Sequence, residues 1–205
     1  MPIRAPGTGT SGPSWSCVSL EAAFDQVLAA AQANAGWAFA RLYESLAPAV
    51  AGYLRAQGAR EPEDLTSEVF LAVFGRLGSF VGGESQFRSF VFTIAHHRLI
   101  DERRALARRP PPQALGARGL DDFDHTQSAA AEDVALRDMA TERVRAALAQ
   151  LAPDQRDVLT LRVIADLSVE QVAHALGKRP GAVKALQRRA LERLRRDFSK
   201  EGVPL

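Results

Sequence analysis

Lys184, Gln187 and Arg188 fall at spacings of three and four residues, which on a helix places an ammonium, a carboxamide and a guanidinium on one face. Those groups suit nucleic acid. Carboxamide and guanidinium form paired hydrogen bonds to base edges, and an ammonium neutralises phosphate. They lie in a segment, 178–198, with eight basic residues and two acidic ones, Glu192 and Asp197. A second basic set comprises Arg88, Arg98, Arg103, Arg104, Arg108 and Arg109, interrupted by Asp101 and Glu102. Glu61, Glu63, Asp64 and Glu68 form an acidic patch. The formal net charge of the 205 residues is only +2, so the cations mark defined nucleic-acid surfaces rather than a bulk polycation. Little else is set up for chemistry. His96 and His97 are adjacent, and neighbouring helix positions point about 100° apart, which suits a shared metal poorly. His174 stands in no recognisable nucleophile–base motif. No catalytic residue, metal or cofactor is expected, and an enzyme is excluded on these grounds.

The elements that must position these groups are legible nearby. Ser168 with Gln171 three residues on opens a helix as a capping box. Val169, Val172, Ala173 and Leu176 follow at helical spacing, and Gly177 stops the helix where a left-handed residue is needed. Pro180 sits where a first turn tolerates it. A second helix then carries Val183, Leu186, Ala190, Leu191 and Leu194 inward and the basic face outward, with Arg195 further along. Two short helices and a tight turn predict a helix-turn-helix shaped for the DNA major groove.

At 46% hydrophobic and 24% charged residues the composition is that of an ordinary globular protein. Cys17 is the only cysteine, which excludes an intrachain disulfide and fits a reducing cytoplasm. No apolar run approaches the roughly 20 residues of a membrane helix, so no membrane insertion is expected.

The fold class expected is all-α, with two helical domains joined by a flexible linker and the helix-turn-helix in the second. Residues 1–19, rich in Pro, Gly, Ser and Thr, read as a disordered extension. The first domain spans 20–108. Leu20, Phe24, Val27 and Leu28 form one stripe. A helix from about Gly36 to Gln57 buries Trp37, Ala40, Leu42, Tyr43, Leu46, Val50 and Leu54, with Pro48 marking a kink or a break. Pro62 starts a helix with Leu65, Val69, Phe70, Val73 and Phe74 in its core face and Asp64, Glu68 and Leu71 on or near the other side. A glycine-rich loop, 77–86, precedes a long helix over 87–107, packed through Phe87, Phe90, Val91, Ile94, Ala95 and Leu99. Three prolines at 110–112 end it. An acidic flexible linker covers 109–133, the second domain 134–198 and a tail 199–205.

With both halves in view the chain resembles bacterial sigma factors of the extracytoplasmic-function (ECF) type. The likeness rests on EDLTSEVFLAVFGRL (63–77), RSFVFTIAHHRLIDERR (88–104) and LAPDQRDVLTLRV (151–163) running into the helix-turn-helix. The resemblance implies a non-enzymatic, cytoplasmic factor that directs core RNA polymerase to promoters and supports melting. Its partners would be core RNA polymerase, through the clamp helices of the largest subunit and the flap of the second largest, promoter DNA, and an anti-sigma factor. Asp64, Leu65, Glu68 and Leu71 would bind polymerase. Phe80, Phe90, His97, Asp101 and Arg104 would meet the minus-ten element, Phe80 in a loop that holds a flipped base. Lys178, Arg179, Gly181, Lys184, Gln187, Arg188 and Arg189 would meet the minus-thirty-five element, with Gln187 and Arg188 both candidates for base readout. His96-His97 stands where the family usually has Arg-Asn, which changes the minus-ten hydrogen-bond pattern. The alternative reading is a stand-alone helix-turn-helix regulator that needs no polymerase core.

Overall fold

The structure, a computed structural model, describes residues 20–108 and 142–200. The expected disordered extension 1–19, the acidic linker 109–133 and residues 201–205 of the tail lie outside the described residues. Every regular element among the described residues is helical. In chain order these are α1 (Leu20–Gln32), α2 (Gly36–Ala56), α3 (Pro62–Phe74), a single 3-10 turn (Leu77–Ser79) and α4 (Glu84–Arg108). After a helical stretch at 142–149 come α5 (Pro153–Val163), α6 (Val169–Ala175) and α7 (Pro180–Lys200).

The first half is held by the apolar stripes of its four helices. Leu42, Leu46, Val50 and Leu54 of α2 are buried at the i, i+4, i+8 and i+12 positions. They meet Leu65, Val69, Phe70 and Val73 of α3 and Phe87, Val91 and Leu99 of α4 in one core. Three expectations are corrected here. Trp37 is 54% exposed and Tyr43 38%, and Ala40 is exposed as well, because the buried stripe passes through Ala38 and Leu42 instead. Pro48 breaks nothing: α2 runs on through it, with the ring on the exposed side. In α4, Phe90, expected to pack inward, is only half-buried, while Phe92 is fully buried.

α4 also begins three residues earlier than the apolar pattern alone predicts, at Glu84, with Phe87 N–H donating to the carbonyl of Gly83 at 2.9 Å. In the second half Val158, Leu161, Leu167, Val172, Ala173 and Val183 are buried. Leu191, expected to point inward, is 36% exposed, and Val163 of α5 is 70% exposed.

The two halves pack against each other. Val158, Leu161, Ala165, Leu167 and Val172 belong to the same continuous apolar cluster as Val50, Leu54 and Leu99. A smaller cluster of Leu148, Leu151, Leu159 and Ala190 has Ala56 of the first half packed against it.

Candidate nucleic-acid interface

The turn that aims α7 is built from local chemistry. Ser168 Oγ accepts from Gln171 N–H at 3.1 Å, and Gln171 Oε1 accepts from Ser168 N–H at 2.8 Å, closing the capping box. At the other end Gly177 has φ +61°. Lys178 N–H donates to the Ala173 carbonyl at 2.8 Å and Gly177 N–H to the His174 carbonyl at 3.2 Å, the pair of bonds that defines a Schellman stop. Arg179 then caps α7, its carbonyl accepting from Ala182 and Val183 N–H at 2.9 and 3.1 Å. Ala173 and Val183, both buried, let α6 and α7 cross closely.

This geometry presents Arg179, Gly181, Lys184, Arg188 and Arg189 to solvent, with Gln187 half-buried beside them. Lys184 and Arg188 lie one turn apart, so their charges can follow one strand of phosphates or one row of base edges. Arg188 Nε is 3.6 Å from Glu192 Oε1, an exposed pair that competes weakly with DNA. Lys178 is tied to Asp154 at 2.8 Å, which braces the turn against α5.

A second surface lies on α4. Phe80, Phe87 and Phe90 form an aromatic triangle, with ring centroids 5.5 Å (Phe80–Phe87), 5.3 Å (Phe80–Phe90) and 6.4 Å (Phe87–Phe90) apart. Phe87 is fully buried, while Phe80 and Phe90 keep half-open faces. The loop carrying Phe80 is fixed at two points. Gly82 has φ +152°, and a Cβ there would come within 2.9 Å of Gln86 Cβ. Gln32 Nε2, from α1, donates to the carbonyls of Leu77 and Phe80 at 3.0 and 2.9 Å. Gln32 was missed in the sequence because its partners are backbone carbonyls 45 and 48 residues away, which leave no pattern.

His97, Asp101 and Arg104 follow along α4 at i, i+4 and i+7, all exposed, with Asp101 and Arg104 3.6 Å apart. They line a cleft of about 840 Å³, into which Arg76 and Arg98 also open.

The two neighbouring histidines differ in kind. His97 faces the cleft, but His96 is buried, with Nδ1 3.0 Å from the Tyr53 hydroxyl. Burial first, then electrostatic repulsion from the neighbouring His97, Arg103 and Lys178, pushes the His96 imidazole down to about 4, so it is neutral. Burial likewise pushes the Tyr53 phenol well above its ordinary range. The His96 and His97 rings sit 6.3 Å apart, and among the described residues no cluster of His, Cys, Asp or Glu could hold a metal.

On α3, Asp64, Glu68 and Leu71 share an exposed face, and Leu71 is 74% exposed. Leu65 is not part of that face: it is buried in the core beneath it. The neighbouring Glu63 is bonded to Arg55 at 2.6 Å, and that bond lowers its carboxyl below the usual range. Tyr43, Glu44 and Pro48 of α2 line a groove of about 460 Å³ with Glu63, Asp64 and Ser67. The exposure of Tyr43 thus extends the acidic face with an aromatic edge.

The family described as Sigma-70 region 2 matches residues 42–109, and that described as Sigma-70, region 4 matches residues 141–194. The chain is 34% identical over 168 residues to the ECF RNA polymerase sigma factor BldN of Streptomyces coelicolor, covering 81% of this chain and 62% of that protein, so it spans less than two thirds of BldN. It is 32% identical over 186 residues to the ECF RNA polymerase sigma factor SigD of Mycobacterium tuberculosis, covering 87% of this chain and 85% of SigD. Among solved structures, CnrH bound to the cytosolic domain of CnrY aligns with a TM-score of 0.62 at 23% identity, over 85% of this chain and 96% of that one. The sigma factor RpoE of Bartonella quintana, solved with the anti-sigma factor NepR, gives 0.59 at 20% identity, over 78% and 96%. These two likenesses concern the fold.

Proposed function

Because the chain belongs to the ECF family of RNA polymerase sigma factors, we propose that it brings core RNA polymerase to promoters and holds the strand opened there. Residues 20–108 are the polymerase-binding and melting half, 109–133 the connecting linker, and 134–198 the upstream-binding half. The observation that carries this reading is the presence, in one chain, of an exposed helix-turn-helix face and an exposed acidic, apolar α3 face.

The mechanism follows from those surfaces. Asp64, Glu68 and Leu71 dock on a basic polymerase helix, the carboxylates supplying orientation and the leucine a desolvated contact. Lys184, Gln187, Arg188 and Arg189 enter the major groove at the minus-thirty-five element. Each well-placed bidentate contact discriminates by about 1–3 kcal/mol. Lys178, Arg179 and the α7 terminus at Gly181 hold phosphates.

Unstacking one base costs a few kcal/mol. Stacking on an aromatic face returns roughly 1–3 kcal/mol per base, and the half-open rings of Phe80 and Phe90 offer such a face. His97, Asp101 and Arg104 continue that path with donors, an acceptor and a charge for the backbone. The chain itself breaks no bond; initiation proceeds because the opened strand is bound more tightly than the duplex. Its place is the cytoplasm, and an anti-sigma protein is its regulator, as the complex of the Bartonella relative with NepR illustrates. No helix among the described residues is long and apolar enough to cross a membrane.

Run-off transcription tests the reading. Purified core polymerase plus this chain, on DNA selected from a random pool by the pair, should give transcripts with one defined start. Transcripts absent from the mixture, with sequence-specific binding by the chain alone, would point to a regulator that works without the polymerase.

A further inference from the structure

The loop that carries Phe80 is held at both ends and bare at its tip. It leaves the core at Leu77, which is 1% exposed. The Leu77 carbonyl accepts from Phe80 N–H at 3.0 Å and from Gln32 Nε2, also at 3.0 Å. The same Gln32 amide donates to the Phe80 carbonyl at 2.9 Å, so one carboxamide serves two acceptors with its two hydrogens. The far end of the loop is closed by Gln86 Oε1, which accepts from Gly83 N–H at 3.2 Å, and by Phe87 N–H on the Gly83 carbonyl at 2.9 Å. Only Phe80, Val81 and Gly82 remain between these pins, and Val81 is 93% exposed.

Gln32 is mounted firmly enough to act as a pin. It ends α1, whose Phe24, Val27, Leu28 and Ala31 are buried in the core of the first half. Phe24 packs on Phe87, with ring centroids 5.6 Å apart, which ties α1 to the base of the aromatic triangle. Just beyond, Asn34 turns at φ 63° and Ala35 N–H donates to the Ala30 carbonyl at 2.9 Å, closing the end of the helix.

A peptide plane held at the Phe80 carbonyl fixes ψ of Phe80 and φ of Val81. The directions of both side chains follow from those two torsions. Phe80 is thereby kept 5.3 Å from Phe90, between ring centroids, and Val81 is kept facing out. The tie contributes little to stability. Gln32 is exposed, so water takes the place of its amide at the Phe80 carbonyl, and the Leu77 carbonyl still holds Phe80 N–H.

We infer that Gln32 is a positioning residue for base selection: by tying the Leu77 and Phe80 carbonyls to α1, it holds Phe80 and Val81 in the one arrangement that accepts the preferred unstacked base. The inference rests on the sigma-factor reading of the Phe80 loop. Without the tie the loop samples several arrangements, the competent one is a smaller fraction, and the preferred base loses most. Phosphate contacts along α4 carry no base information and are unaffected.

The test uses the full chain with core polymerase. Gln32→Met keeps length and bulk and removes both donors, whereas Gln32→Lys returns donors on a chain of similar reach. Open-complex yield is measured on a promoter fragment selected by chain and polymerase, with each of the four bases placed in turn along the melted stretch. Urea unfolding is run on the same proteins. Gln32→Met should shrink the preference between best and worst base about five-fold at one position. Preference at other positions, binding to core polymerase and the urea midpoint should stay as they were, and Gln32→Lys should recover most of the lost preference. Unchanged preference in Gln32→Met, an equal loss at every position, a matching loss of urea stability, or no recovery with Gln32→Lys each overturns the positioning role while leaving the sigma-factor reading intact. Absence of open complexes with the unaltered chain and core polymerase would remove that reading, and the inference with it.

Discussion

Acid should destabilise this fold through one residue. His96 is neutral in the folded chain because burial lowers its imidazole from 6.5 to about 4. An unfolded chain takes up that proton below about 6.5, whereas the folded chain does not, so stability is full above that pH and is lost as pH falls toward 4. At about 1.4 kcal/mol per unit, the share lost between about pH 7 and pH 5 is about 2 kcal/mol, an appreciable part of the roughly 5–15 kcal/mol that holds a domain together. Asp157 acts in the opposite sense. Burial raises its carboxyl, so acid favours the folded state there, and Arg103 only partly offsets the shift. Comparison with His96→Gln removes that contribution, since both proteins carry Asp157. Glutamine can still accept from the Tyr53 hydroxyl that stands 3.0 Å from His96 Nδ1, and it does not titrate. Urea unfolding at three pH values should show the unaltered protein losing about 2 kcal/mol more than the variant on acidification. Parallel losses in the two proteins would refute the argument that burial keeps His96 neutral.

Other surfaces give separable expectations. Asp64→Ala with Glu68→Ala should weaken binding to core polymerase about ten-fold and leave DNA binding by the chain unchanged, measured by fluorescence anisotropy against each partner. Arg188→Ala should cost about 1–3 kcal/mol of minus-thirty-five affinity and relax preference at one base pair, read by competition with single-substituted sites. Gly82→Ala forces a residue with φ +152° to carry a Cβ 2.9 Å from Gln86 Cβ. It should cost about 1–3 kcal/mol in urea unfolding and reduce open-complex yield more than closed-complex yield.

What could be read in advance was what is settled locally. Ser168, Gly177 and Pro180 fix the turn of the helix-turn-helix within a dozen residues, and the capping box and Schellman stop are both present. The exposed basic stripe of α7 follows directly. Helix faces in the first half were less legible, because aromatic residues suggest burial wherever they stand. Trp37 and Tyr43 sit just off the stripe defined by Ala38, Leu42 and Leu46, and so are exposed. The run FRSFVF spreads three phenylalanines around α4, and only packing decides that Phe87 and Phe92 go inside while Phe90 remains half-open. Pro48 is tolerated because it sits on the exposed side of a helix whose opposite side is anchored. The junction between the halves was invisible for a different reason. Gln57, Asp157 and Thr160 are residue types that usually meet water, and their partners lie up to 103 residues away. The one available clue is that Asp157 and Thr160 interrupt the apolar face of α5 at buried positions.

The central claim is that the chain lets core polymerase hold an unpaired promoter strand. Permanganate probing of unpaired thymines addresses it directly, on a promoter fragment selected by chain and polymerase together. Reactive thymines around the minus-ten element should appear only when chain and polymerase are both present, and should fade with Arg104→Ala. A fragment that stays unreactive with both present, or reacts equally with polymerase alone, would contradict the account.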